Sequence, residues 1–224
     1  MKSLNMNDIR VSLLTGGKDI HYAMGLVSGL VRKDLLIEFI GNDSWKDARV
    51  LKNKKIIYCN LRGDQSETSP IREKIARVLK YYFKLMKYAA ETDSRLLHIQ
   101  WLNKFTWFDR TLLNVYYKAC GKKLVFTAHD INYRKLVGSD SLINSLSLKF
   151  MYRIVDHIVV HTEKTKAELV ENYNAREDKI SVIPFGINEV MPKTDLTRDQ
   201  ARKKLNLKDD EKALLFFGNI APYK

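Results

Sequence analysis

Short runs of apolar, β-branched and aromatic residues punctuate this chain, and helical periodicity fills most of the gaps between them. The runs are Ile9 to Leu14, Leu35 to Ile40, Lys55 to Cys59, Leu96 to Trp101, Lys123 to Thr127, His157 to His161 and Ile180 to Pro184. Apolar residues recur at helical spacing over Ile20 to Val31, Ile71 to Ala90, Phe108 to Ala119, Ser141 to Arg153 and Lys164 to Tyr173, with Gly121 closing the third and Thr162 capping the last. A run apolar at successive positions is buried on both faces, which requires neighbouring strands and helices that return over them. The alternation therefore predicts an α/β chain with a doubly wound, Rossmann-like parallel sheet and helices on both faces.

Composition agrees with a substantial core: 45% of the 224 residues are apolar and 10% aromatic. Cys59 and Cys120 stand alone, without C-x-x-C spacing, so neither a metal site nor a disulfide framework is expected and a reduced cytosolic setting fits. No apolar stretch approaches the roughly 18 to 20 residues of a membrane span, and Met1 to Asp8 lacks the apolar core of a signal peptide. Lys and Arg number 39 against 26 Asp and Glu, a net +13 that favours anionic partners without choosing among them. No nucleic-acid motif accompanies the charge, so nucleic acid is not the expected partner. The densest basic stretch is the amphipathic helix Ile71 to Ala90, where Ile71, Ile75, Val78, Leu79, Tyr82, Phe83 and Met86 share helical spacing and Arg77, Lys80, Lys84 and Lys87 fall largely on other faces. Two readings stand for it: a core helix with a solvated basic side, or peripheral contact with an anionic membrane surface.

In a doubly wound sheet, ligands bind beyond the carboxyl ends of the strands. After the first run comes Thr15-Gly16-Gly17-Lys18-Asp19, a glycine turn leading into a helix N-terminus, which reads as a tight turn or as a phosphate approach. It matches neither the dinucleotide fingerprint nor a P-loop. His98 and Gln100 alternate onto one strand face, His98 being a packed, hydrogen-bonded core group or a ligand contact. The run Leu124 to Thr127 delivers His129 and Asp130 at its end, where an imidazole can serve a sugar hydroxyl or phosphate, or the pair can merely close the turn. Ile180 to Asn188, with Pro184 and Gly186, reads as the structural exit from the domain.

Taken in order, Thr15-Gly16-Gly17, Phe126-Thr127-Ala128-His129-Asp130, His157 to Thr162, Val182 to Asn188, Ala201 to Leu205 and Phe217 to Lys224 resemble the family 4 glycosyltransferases, enzymes of the GT-B fold. The resemblance implies two facing Rossmann-like domains and retaining, metal-free transfer from a nucleotide sugar, a substrate rather than a cofactor, to a glycan or lipid-linked acceptor. It implies that residues 1–192 bind acceptor, that 193–212 form a linker with a charged helix opened by the T-x-x-Q capping box of Thr197 and Gln200, and that 213–224 begin the donor domain. By the same resemblance Gly16, Gly17 and Lys224 approach the donor diphosphate, His129 contacts the transferred sugar as the catalytic histidine, and Lys18, His98 and Asp130 contact acceptor or sugar. Asn219 stands where such enzymes often carry Arg, and their E-x7-E carboxylates have no equivalent in this sequence. The expectation is a truncated chain, inactive alone, working at the cytoplasmic side of a membrane. The alternative is a noncatalytic acceptor-binding or scaffolding subunit that pairs with a separate donor domain.

Overall fold

A computed structural model describes residues 9–131, 140–186 and 194–215. Seven strands form one all-parallel sheet: β1 (Arg10–Leu14), β2 (Leu36–Gly41), β3 (Ile56–Asn60), β4 (Leu96–Ile99), β5 (Lys123–Thr127), β6 (His157–Val160) and β7 (Ile180–Val182), in the order β3-β2-β1-β4-β5-β6-β7. The order reverses between β1 and β4, which pair in register from Val11 opposite Leu96 to Leu14 opposite Ile99. Loops leaving adjacent strands for opposite faces open a crevice at such a point.

Helix α1 (Ile20–Arg32) covers one face, packing Ala23, Met24 and Val27 against Leu13, Ile37 and Phe39. The other face carries four helical segments: α2 (Ile71–Glu91), α3, α4 (Leu142–Ile154) and α5 (Glu163–Tyr173). Here α3 denotes Thr106–Phe108, a π turn over Asp109–Leu113 and Asn114–Ala119. Leu85, Leu97, Leu124, Leu148 and Ile158 are the centre of this second core, each essentially removed from water and worth roughly 1.5 to 3 kcal/mol by burial. A last helix, α6 (Arg198–Lys204), opens with a reciprocal capping box between Thr197 and Gln200.

At the amino ends of the strands, buried Glu38 accepts from Arg10 Nη1 at 3.0 Å and Thr92 Oγ1 at 2.6 Å, and also from Ser12 and Tyr88. A buried carboxylate requires this many donors.

The predicted strands and helices form in the predicted order, but α2 differs in what it buries. Its core side is Tyr81, Tyr82, Leu85 and Ala89, while Ile71, Ile75, Leu79 and Phe83 face outward. These four repeat every fourth residue, and the helix carries two apolar stripes of which only one meets the sheet. Ala213, Leu214 and Leu215 are exposed and outside regular structure; the rest of the expected donor-domain strand, with Asn219 and Lys224, lies outside the described residues, as do Ile187 and Asn188.

Candidate functional site

The glycine turn closes over the switch point. Thr15 Oγ1 donates to the Ile40 carbonyl at 3.0 Å and accepts from the Gly17 N–H at 3.2 Å, and the Lys18 N–H reaches the Thr15 carbonyl. Gly16 and Gly17 have φ of 63° and 73°, and a Cβ on Gly16 would lie 2.6 Å from Trp101 Cβ and 2.7 Å from the Trp101 carbonyl oxygen. The glycine is therefore required by the close passage of the β1 and β4 loops. Asp19 caps α1 by accepting from the Tyr22 N–H, so a carboxylate already occupies part of the helix terminus that the sequence offered to phosphate.

His129 lies at the centre of an aromatic cluster drawn from four strand ends and α1. Its ring stacks on Trp101 with centroids 4.2 Å apart and planes 7° from parallel, and meets the edge of Tyr22 at 4.6 Å. His161 lies 5.2 Å away, stacked at 3.7 Å on Phe185. The His161 Nδ1–H donates to the Ile183 carbonyl at 2.8 Å. Burial first, and the neighbouring His161 second, push the His129 imidazole down to about 4. It is neutral at pH 7 and serves as a hydrogen-bonding group rather than a charged acid. Its buried Nε2 meets no hydrogen-bond partner among the described residues.

A cleft of about 390 Å³ opens beside this cluster, bordered by Lys18, Gln100, Trp101, Arg110, His129 and Asp130. Gln100 is 1% exposed, yet neither amide atom of its side chain meets a partner among the described residues. Such a group is expected to be satisfied by whatever enters the cleft. His98 is not among the residues bordering this cleft: its Nε2 pairs with Thr127 Oγ1 at 2.8 Å, and burial holds its imidazole down to about 4. It props Thr127 beneath the cleft floor.

A second cleft, about 790 Å³, adjoins the first at Lys18 and Thr106 and gathers Lys18, Arg62, Lys74, Arg77 and Lys104. The Arg62 guanidinium lies 4.3 Å over the Tyr81 ring and is held by Asn103. Asn103 is in turn fixed by Asp109 in the π turn, whose carboxylate accepts the Asn103 N–H at 2.6 Å and whose burial raises it to about 6. Arg77 is committed to Asp64 and the Ser66 carbonyl. Lys18 and Lys104 form no ion pair among the described residues, and the cleft carries more cations than its one lining carboxylate, Glu67, balances. No cluster of His, Cys, Asp or Glu among the described residues could hold a metal ion.

Of the residues singled out in the sequence, Gly16, Lys18, His129 and Asp130 border these clefts, Gly17 lies against Arg62, and Lys224 is outside the described residues. Gln100, which alternates with His98 in the sequence, and Trp101 beside it border the first cleft, and Arg62, just past β3, is a cleft residue that no sequence motif marks. Tyr22, His161 and Phe185 are assembled only by the fold.

A parallel sheet whose strand order reverses between β1 and β4, with a polar crevice at that point, is a doubly wound, Rossmann-like arrangement similar to one half of a GT-B glycosyltransferase. The family model for Glycosyltransferase Family 4 matches residues 21–190, and the chain belongs to that family. It is 38% identical over 74 residues to a D-inositol 3-phosphate glycosyltransferase of Thermomonospora curvata, covering 31% of this chain and 17% of that protein. It is 31% identical over 114 residues to the enzyme of the same name from Thermobispora bispora, covering 46% and 26%. The matched stretches thus span well under half the length of these relatives. Among solved structures it resembles sucrose-phosphate synthase from Thermosynechococcus elongatus, with a TM-score of 0.64 and 15% identity over 91% of this chain and 54% of that one. At that identity the likeness speaks for the fold.

Proposed function

We propose that this domain binds the acceptor in a retaining transfer of a sugar from a nucleotide-sugar donor, without metal, and that the acceptor carries phosphate. The carrying observation is the juxtaposition at one switch point of two adjoining clefts that share Lys18: one sets the neutral, hydrogen-bonding His129 and Gln100 beside Arg110 and Asp130, and the other adds Arg62 and Lys104. The first suits sugar hydroxyls, which give and take hydrogen bonds; the second suits a phosphate, where a stacked guanidinium and ammonium groups supply charge and N–H donors. The names of the two curated relatives, which specify inositol 3-phosphate, support the same class of acceptor. His129 contacts the transferred sugar through Nε2, and Asp130 borders the same cleft as a sugar or acceptor contact. Gly16 and Gly17 approach the departing nucleoside diphosphate when a donor domain closes over them, and Lys224 supplies the charge that neutralises it. The Gly17 and Lys18 amides are turned inward to Thr15, so the approach relies on rearrangement of the turn.

The work is placed at the cytoplasmic side of a membrane, with α2 making peripheral contact. No described helix is long and apolar enough to cross a bilayer. Calorimetric titration of the chain with inositol 3-phosphate and with inositol tests the acceptor reading. The phosphate ester should bind at least about tenfold tighter, the increment of one charge-assisted contact, and Arg62→Gln should remove that preference. Equal affinity for the two compounds would overturn it.

A further inference from the structure

Arg62, the guanidinium assigned above to the acceptor phosphate, is held by a polar network whose far end is the π turn of α3. Its Nη2 donates to Asn103 Oδ1, which also accepts from Tyr81 Oη at 2.8 Å. Asp109 closes the network from behind, accepting the Asn103 N–H at 2.6 Å and Asn103 Nδ2 at 3.3 Å. Asp109 is 2% exposed and is not among the residues bordering either cleft, whereas Arg62, Tyr81, Tyr82 and Asn103 all line the larger one. A carboxylate buried at this depth is costly, and the groups that satisfy it lead to the cleft.

The chemistry of the three groups sets the direction of control. An ionised carboxylate only accepts hydrogen bonds, so it selects the orientation of the Asn103 amide that turns the NH2 toward Asp109 and the carbonyl oxygen toward Arg62. The opposite orientation would set NH2 against guanidinium, donor against donor. Because the amide stands between the two charges, the guanidinium is fixed through Nη2 and keeps its other donors. Its Nε is buried without a partner among the described residues, and Nη1 passes the glycine turn, 3.1 Å from where a Gly17 Cβ would stand. Those N–H groups remain for an anion, and the Tyr81 ring, 4.3 Å away, limits the tilt of the guanidinium plane. The widened turn sends Asp109 toward Asn103 while the next residue, Arg110, reaches Asn144 on α4.

We propose that Asp109 is a positioning residue for the acceptor phosphate: acting through Asn103, it holds the Arg62 guanidinium with its free N–H groups available to the anion. The proposal rests on the assignment of Arg62 to phosphate made above and extends it to a residue that touches no substrate. It carries a sign that separates positioning from simple charge. Asp109 and Arg62 are close enough to interact electrostatically. Deleting the carboxylate therefore removes negative charge near an anion site, which on electrostatic grounds alone would tighten phosphate binding. Loss of positioning weakens it.

The test is calorimetric titration of the chain with inositol 3-phosphate and with inositol at pH 8, where Asp109, raised by burial to about 6, is ionised and a phosphate ester carries its second charge. Wild type is compared with Asp109→Asn, Asn103→Ala, Arg62→Gln and the double variant Asp109→Asn with Arg62→Gln, each with its thermal melt. Asp109→Asn and Asn103→Ala should each reduce the preference for the phosphate ester by at least about threefold and leave inositol affinity within about twofold. In the Arg62→Gln background, Asp109→Asn should change the preference no further, while its effect on the melt persists. Tighter phosphate binding in Asp109→Asn, an unchanged preference, or an additive loss in the double variant would overturn the proposal. Should Asp109→Asn not fold, Asn103→Ala, at a half-buried position, decides by the same criteria. If wild type binds both compounds equally, the phosphate assignment fails and takes this proposal with it. If wild type and Arg62→Gln behave as expected but Asp109→Asn and Asn103→Ala keep the preference, this proposal alone fails.

Discussion

His98 makes acid stability a sharp test of how the sheet is built. Its imidazole, on β4 beside β5, is buried, bonded to Thr127 Oγ1, and held at about 4 against an ordinary value of 6.5. Burial is the main cause and the adjacent His129 the second. The folded value lies below the unfolded one, so above pH 6.5 both states are neutral and the group contributes no pH dependence. As pH falls through 6.5 the unfolded chain takes up the proton first, and stability declines until about pH 4, where the folded chain also protonates. A displacement of about 2.5 units at about 1.36 kcal/mol each sets a ceiling of about 3.4 kcal/mol. His129 follows the same sign with a smaller share, because it is only half-buried. Urea unfolding followed by tryptophan fluorescence at pH 7, 6, 5 and 4 measures the decline. His98→Gln can keep a hydrogen bond to Thr127 and cannot titrate, so its stability should fall less over that window, by about 2 to 3 kcal/mol, carboxylate contributions being common to both chains. Parallel pH profiles for the two chains, or an NMR titration of His98 near 6.5, would refute the reasoning.

Other substitutions probe the site and its supports. Removing the stacked indole in Trp101→Ala should hydrate His129 and move its titration from about 4 toward 6.5, read by imidazole chemical shifts; an unmoved value would show that Trp101 does not shield it. Gly16→Ala places a methyl 2.6 Å from Trp101 Cβ at a positive φ, and should destabilise the chain by about 2 kcal/mol or more in the same urea assay, with a wild-type midpoint contradicting the packing role. Glu38→Ala leaves Arg10, Ser12, Tyr88 and Thr92 without their shared acceptor and should cost about 3 kcal/mol, whereas a loss below about 1 kcal/mol would show that the network is dispensable.

The strands were legible as short runs rich in apolar, β-branched and aromatic residues set between stretches of helical periodicity, even where a polar residue such as Ser12 or Glu38 interrupts them. Leu13, Ile37 and Phe39 are fully buried, as such a pattern requires. Helix α2 was legible as a helix but not in its orientation: an i, i+4 apolar stripe has the same periodicity whether it meets a sheet or solvent, and here Leu79 and Phe83 meet solvent. The site was half legible. His129 and Asp130 follow β5 directly, and the glycine turn follows β1, so position along the chain exposes them. Arg62, Gln100 and Trp101 obey the same rule but carry no motif, and their roles depend on partners such as Tyr81 and His129 that only the sheet order brings near. Nothing in the local sequence of Asp109–Leu113 announces a π turn, since its widened turn is set by the contacts of Asp109 with Asn103 and of Arg110 with α4.

The central claim, that the His129 cluster and the adjoining cationic cleft serve sugar transfer to a phosphorylated acceptor, is tested most directly on an intact polypeptide in which this domain is joined to a donor-binding domain. The measurement is mass-spectrometric detection of glycosylated inositol 3-phosphate after incubation with UDP-, GDP- and ADP-sugars in the presence of a chelator. The account predicts product with one of these donors and a loss of turnover of more than about tenfold in His129→Ala without loss of folding, the scale of one directed hydrogen bond in a transition state. Transfer only to unphosphorylated acceptors, or near-normal turnover in His129→Ala, would contradict it.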